Sequence, residues 1–404
     1  MSQVIDVRIS GSTDGNSQAT DRLESTCRQL LGESHEAGLS QEVEDRLQLE
    51  LQTLDRLGIS GLVLELVSIA DDIARRGHEI RVEGAAAGSL VLYALEIAKV
   101  CPLRHGMLFE RFIDPDLESY PKGPQAGLNP SCVSSQHSIE TLRVLRQRGY
   151  EFQTVDQQAE VDGTQECWQS IQAGMPDADS SVPHLLLHIA GPSVVSLTIA
   201  ILGERPGRDR VHDQAAFELL GRGETDGIFG LEHPAMQDAL RAVKPESHDE
   251  LAAVMALGDQ HSVYRRRLFD RFVARDGDAS ALESESVTRV LAPNRGLLFY
   301  QEDLMTILRH VGAFTLRDAY ELIRAISKQE QGRIEEARRL VVSRSSGAVT
   351  SQWAQEMFEL VVDRAAHSMC KAHCYATAYN CVEAAHLKTH CPDDFRAAVT
   401  AMSG

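Results

Sequence analysis

Beyond Leu202 the apolar residues recur at helical spacing almost to the C-terminus, interrupted at Gly221, Gly258, Gly312 and Gly347 and by the acidic stretch Asp276 to Glu285. That periodicity commits the second half of the chain to packed helices. The first half reads differently. From Ser40, a residue suited to cap a helix, Val43, Leu47, Leu51 and Leu54 predict a helix closed by Gly58, and a second helix spans Leu62 to Arg76 before Gly77. Glu79 to Val82 predicts a short strand, Gly84 to Ser89 a small-residue turn, and Leu90 to Leu95 an apolar helix start. Strand, tight turn and helix in that order suit a phosphate. Leu185 to Ile189 reads as a buried strand and Val194 to Leu202 as a second apolar element.

Residues 1–39 are rich in Ser, Asp, Gly and Gln and predict a mobile or weakly helical segment. Residues 121–183 carry many Gly, Pro, Ser, Gln and Asp residues, with one helical interlude near Ile139 to Arg148, and predict a connector or a reduced subdomain. With 43% hydrophobic and 25% charged residues among 404, the chain can bury a sizeable core. It has neither a membrane-length apolar run nor a secretory pattern at its start, so a cytoplasmic location is expected. A net charge of -19 opposes whole-molecule attraction to a phosphate backbone, and any nucleic-acid contact must come from a local basic surface.

Five blocks carry a family resemblance. RLQLELQTLDRLGISGLVLELVSIADDIARRGHEIRVEGAAAGSLV (Arg46 to Val91) is followed by PLRHGMLFERFIDPDLESYP (Pro102 to Pro121). GETDGIFGLEHPAMQDALRAVKPESHDELAAVMAL (Gly223 to Leu257) comes next, and RGLLFYQEDLMTILRHVGAFTLRDAYELIRAISK (Arg295 to Lys328) with CKAHCYATAYNCVEAAHLKTHCPDDFRAA (Cys370 to Ala398) completes the order. Colinear over about nine-tenths of the chain, these blocks resemble the palm and fingers of bacterial DNA polymerase III alpha subunits, C-family polymerases. The resemblance implies an α+β fold: a reduced nucleotidyltransferase-like palm and a mainly helical fingers region. It implies palm over 40–120 and 184–257, a reduced thumb or connector over 121–183, and fingers over 258–404. The family's amino-terminal phosphoesterase domain and its usual clamp attachment are not expected in this chain.

The departures are chemical. Polymerases join a nucleotide to a primer with two metal ions held by clustered carboxylates. The family's alternating aspartates after LFERF are matched here by Lys122, Pro124 and Ala126, and its third aspartate falls on His188 or Ala190, depending on the gap. Lysine places a positive charge where cations should bind, and proline denies a strand one ladder bond. Asp114, Asp116 and Glu118 lie just upstream and are expected to be loop residues. No metal site is predicted, and no cofactor, with magnesium expected only if activity survives.

The resemblance also implies nucleotide-facing positions: Gly88 and Ser89 in the turn, and Arg324, Lys328, Lys371 and His373 in the fingers, His373 as the sugar-discriminating residue. Cations there would neutralise a triphosphate. Against this, the family's turn arginine is matched by Glu83 and its first serine by Ala85, its lysine-rich run is SKQE, and its Arg-Pro-Gly-Pro stretch is GDQHS.

Two other constellations invite chemistry. The C-terminus gathers His367, Cys370, His373, Cys374, Cys381, His386, His390 and Cys391, but Cys-x3-Cys-x6-Cys-x9-Cys fits no zinc ribbon, and core thiols are the expectation. Arg265, Arg266, Arg267, Arg271 and Arg275 form the densest basic cluster in a chain with 34 arginines and six lysines, read as a solvated helix with acidic partners or as a nucleic-acid patch.

The leading expectation is therefore a polymerase-inactive relative with an accessory or scaffolding role in DNA replication or repair, touching primer-template or single-stranded DNA weakly and replication or repair proteins directly. The alternatives are an active small DNA-directed nucleotidyltransferase with a rebuilt metal site, and a protein-binding module without nucleic-acid contact.

Overall fold

The computed structural model describes residues 3–7, 16–33, 39–75, 84–116, 127–131, 153–161, 164–173 and 187–190, with Val82 and a few positions between 195 and 202. From His212 to Ser403 it describes all but 259–261, 279–283, 312–313 and 345–350. The chain divides into two compact units: Met1–Leu103 with Pro115–Gly207 and His390–Gly404, and Arg104–Asp114 with Arg208–Thr389.

In the first unit α1 (Asn16–Glu33), α2 (Gln41–Arg56), α3 (Ser60–Arg75) and the short α4 (Leu90–Ala94) follow the strand β1 (Gln3–Val7) or precede the later strands. Ser40 is extended and its side chain accepts from Val43 N, which starts α2; Gly58, at φ +70°, lets the chain turn after it. Leu47, Leu51 and Leu54 form the buried stripe that the spacing predicts. The 1–39 segment, read as mobile or weakly helical, contains α1. Its polar composition hides Ala19, Leu23, Cys27 and Leu31, four buried residues each four apart, which make one apolar seam. Arg28 ties that helix to α2 through Glu44 at 2.7 Å.

The sheet of this unit has five strands in the order β3-β4-β1-β2-β5, with β2 (Gly127–Ser131), β3 (Gln153–Val161), β4 (Thr164–Ala173) and β5 (Leu187–Ala190). Strand β1 runs parallel to β4 and antiparallel to β2, while β2 runs parallel to β5. The segment read as a connector or a reduced subdomain thus contains an antiparallel pair, β3 with β4. Its alternation is polar on both faces (QTVDQQAEV, TQECWQSIQA), so no apolar period marked it. Lys122, Pro124 and Ala126, the predicted strand near Glu79 and the helical interlude at 139–148 lie outside the described residues.

The second unit is helical. Helices α5 (Gln214–Gly221), α6 (Pro234–Val243), α7 (His248–Leu257) and α8 (Val263–Ala274) lead to α9 (Glu285–Leu291), α10 (Gln301–His310), α11 (Leu316–Ser327), α12 (Gln331–Arg344) and α13 (Ser351–Ala365). Helix α14 (Lys371–His390) follows, and α15 (Pro392–Ser403) belongs to the first unit. Helices α9 to α13 close one core around Leu291, Leu304, Leu308, Ile323, Phe358 and Val361. The predicted helical period places these residues inward. Thr315 and Asp318 form a capping box at the start of α11, fixing where that helix begins. The only strand-like pairing among the described residues of this unit is the Tyr300–Met369 bridge. No described helix is long and apolar enough to cross a membrane.

Candidate functional site

The predicted phosphate turn is a 3-10 turn over Gly84–Gly88, followed by Ser89 as the cap of α4. Glu50, projecting from α2 and fully buried, sits on this turn. One carboxylate oxygen accepts from Leu90 N at 2.8 Å and from Arg46 Nε at 2.7 Å. The other accepts from Ser89 Oγ at 2.7 Å and Val91 N at 3.0 Å. Arg46 also donates to Gly88 O at 2.8 Å, and Ser89 Oγ accepts from Leu92 N at 3.2 Å. Gly88 and Ser89 are therefore where the sequence placed them, at a helix start, but an internal carboxylate holds the amides that a phosphate would use.

The fingers candidates separate. Arg324 is exposed on α11, pairs with Glu321 at 3.2 Å and lies over the Tyr320 ring. Lys328 is the exposed cap of the same helix. Lys371 is interior: its Nζ donates to Asp303 Oδ1 at 2.8 Å, with side-chain exposures of 4% and 2%. Asn294 Nδ2 donates to the other oxygen of Asp303 at 2.6 Å. Gly106, at φ +62°, passes so near that a Cβ there would lie 3.8 Å from Lys371 Nζ. His373 is half-buried in the first turn of α14.

The start of α14 repeats the device seen at α4. Buried Glu302 accepts from Lys371 N at 2.7 Å and Ala372 N at 3.1 Å, and the Cys370 thiol donates to it at 3.6 Å. Burial pushes the Glu302 carboxyl above the usual range, although those two amides pull against it. Burial, with the Glu302 charge adding to it, pushes the Cys370 thiol up to about 12. Cys374 and Cys381 are buried, as core thiols should be.

A polar cluster that the sequence reading missed lies beside Lys371 on the same helix. Asp249 Oδ1 accepts from Tyr375 OH at 2.8 Å and from His105 Nδ1 at 3.0 Å, while His248 Nε2 donates to Tyr375 O at 2.9 Å. The His105 and Tyr375 rings are 4.5 Å apart, tilted. Burial, aided by the charge of His105, lowers the His248 pKa to about 4. Burial raises the Asp249 carboxyl, but the hydrogen bonds from His105 and Tyr375 outweigh it and hold the group below its ordinary value. The adjacent His248-Asp249 pair after Ser247 was visible in the sequence; that residues 105 and 375 converge on it was not.

The arginine cluster of α8 divides by face. Arg271 binds Asp278 at 2.8 Å, Arg265 lies against the Met369 sulfur at 3.2 Å, and Arg266 and Arg267 are exposed. Asp114 pairs with Arg317 at 3.1 Å.

Two family models match the chain, and neither reaches Lys371 or the rest of its helix. Residues 21–122 match the bacterial DNA polymerase III alpha NTPase domain, and residues 208–347 match the bacterial DNA polymerase III alpha subunit finger domain. The finger match opens at residue 208, where the second compact unit resumes. Among curated proteins, the chain is 25% identical to the DNA polymerase III subunit alpha of Halalkalibacterium halodurans, over 96% of this chain and 43% of that protein. It is 24% identical to the Campylobacter jejuni subunit, over 89% of this chain and 38% of the relative, and 25% identical to the Thermus aquaticus subunit, over 88% and 38%. The chain thus spans about two fifths of the length of the relatives it matches. With both domain matches in family order and the intervening sequence aligned as well, the chain belongs to the bacterial DNA polymerase III alpha-subunit family.

Proposed function

We propose that this chain is a polymerase-inactive member of its family, with a reduced palm and a helical fingers region, and that it acts as an accessory or scaffold in DNA replication or repair. The observation that carries this reading is the donor set at the family's aspartate positions: Lys122, Pro124, Ala126, and His188 or Ala190. Magnesium is a hard cation that takes oxygen ligands. An ammonium, a pyrrolidine, a methyl and at most one imidazole do not fit two such ions.

The anion-binding features offer a second line of support. The amides at the α4 start are committed to Glu50, those at the α14 start to Glu302, and the Lys371 charge to Asp303. Arg324 and Lys328 remain at the surface for a weak phosphate contact. The net charge of -19 favours, as a second reading, a protein-binding module without nucleic-acid contact.

Primer extension with magnesium and then manganese tests the leading reading. No incorporation is expected. Incorporation that disappears on Arg324→Ala would establish the rival, a small nucleotidyltransferase with a rebuilt metal site. Binding to labelled primer-template across a salt series separates the remaining two: salt-sensitive binding keeps DNA among the partners, and none at low salt leaves protein alone.

A further inference from the structure

Phe229 is 71% exposed, while its neighbours Ile228 and Leu231 are 1% and 0% exposed. Single exposed apolar residues are ordinary. What sets this one apart is how firmly its loop is held. Ile228 N donates to Thr225 O at 2.9 Å, Leu231 N to Ile228 O at 3.1 Å, and Thr225 Oγ1 to Leu231 O at 2.7 Å. Gly227 N donates to Glu232 at 2.9 Å. From α14, Lys388 Nζ donates to Glu224 O at 2.9 Å and Asp226 O at 2.8 Å, and the Cys381 thiol donates to Phe229 O at 3.7 Å. Gly227 and Gly230 take φ of +79° and +82°, conformations that let the turn close around the phenylalanine. The loop buries the residues on either side and presents the ring outward.

The charges around the ring select a partner. Glu224, Asp226 and Glu232 are exposed beside it, against Arg222, whose guanidinium is paired with Glu224 at 2.6 Å. Lys388 directs its ammonium at the loop carbonyls rather than outward. An acidic rim disfavours a phosphate backbone and favours a surface bearing lysine or arginine. An aromatic side chain has few rotatable bonds, and on a backbone held in this way it loses little freedom on docking, the property of an interface anchor. We propose that the Thr225–Glu232 loop is a protein-docking site, with Phe229 entering an apolar pocket bordered by basic residues on a partner protein. This goes beyond the proposed inactivity and does not depend on it.

The test places a photoreactive benzoylphenylalanine at position 229 of the full chain in its native host, identifies the crosslinked molecule, and then measures purified binding. The proposal expects a protein adduct whose crosslinked peptide carries lysine or arginine. It also expects affinity for the purified partner to fall at least tenfold in Phe229→Ser and in Asp226→Lys, and to weaken with salt. An adduct to nucleic acid, no adduct, or unchanged affinity in Phe229→Ser overturns it. A lowered melting temperature of Phe229→Ser without partner also overturns it, because the ring would then be structural.

Discussion

Glu50 and Ser89 share a 2.7 Å hydrogen bond inside the first unit, the carboxylate fully buried and the serine 2% exposed. Through it the turn that resembles a nucleotide-binding element becomes a joint between α2 and α4. A carboxylate with four donors compensates both the helix start and the nearby Arg46 guanidinium, which is itself nearly buried.

Removing that joint should destabilise the unit. Glu50→Ala strands the Arg46 charge, two amides and a hydroxyl, and the expected loss is about 3–5 kcal/mol. Urea unfolding followed by circular dichroism measures it. A loss under about 1 kcal/mol would mean that water replaces the carboxylate and that the turn is open to other anions.

Lys371 and Asp303 should behave as a buried pair. Lys371→Met alone leaves Asp303 uncompensated and should cost about 3–5 kcal/mol, whereas Lys371→Met combined with Asp303→Leu should recover most of it. Additive losses in the double-mutant cycle would show that the two side chains are not coupled.

Much of this fold was legible because it rests on local rules. Ser40 as a cap, Gly58 as a stop, and the inward faces of α2 and α9 to α13 follow from side-chain period and backbone geometry alone. Helix α1 was legible only as a four-residue stripe inside a polar segment, a weaker signal than its composition. The site was less accessible. The family resemblance implies a nucleotide-facing position for Lys371, but whether its charge points to solvent depends on Asp303, 68 residues earlier in the chain. The Asp249 cluster joins residues 105, 249 and 375, and no local pattern predicts that meeting.

The thiols offer a check on burial. Cys27 is buried in α1 and pushed up to about 12, first by desolvation and then by the Glu50 charge. Cys370 is raised to a similar value, and Cys374 well above its ordinary value by complete burial. A buried, protonated thiol reacts poorly with alkylating agents. Brief iodoacetamide treatment of native protein at pH 8 should therefore modify the half-buried Cys101 and Cys391 before the buried Cys27 and Cys374, and before Cys370, which is half-buried but holds its proton beside Glu302, as read by peptide mass spectrometry. Early modification of Cys27 would show that α1 leaves its seat.

His248 makes stability sensitive to acid. Its folded-state pKa of about 4 lies below the ordinary histidine value of 6.5, so between these limits the unfolded chain binds the proton that the folded chain excludes. Stability contributed by keeping the ring neutral is complete above about pH 6.5 and falls as the pH drops toward 4. The expected loss at pH 4 is on the order of 3 kcal/mol, since each unit of pKa difference corresponds to about 1.4 kcal/mol. Asp249, whose pKa is lowered, acts in the same direction, so the histidine must be isolated by comparison. Urea midpoints of the wild type and of His248→Phe, measured from pH 7.5 down to 4, should converge as the pH falls, because phenylalanine keeps the ring volume without the titration. Parallel pH profiles would show that His248 is protonated without penalty and that the ring is more open to water than its packing against His105 and Tyr375 implies.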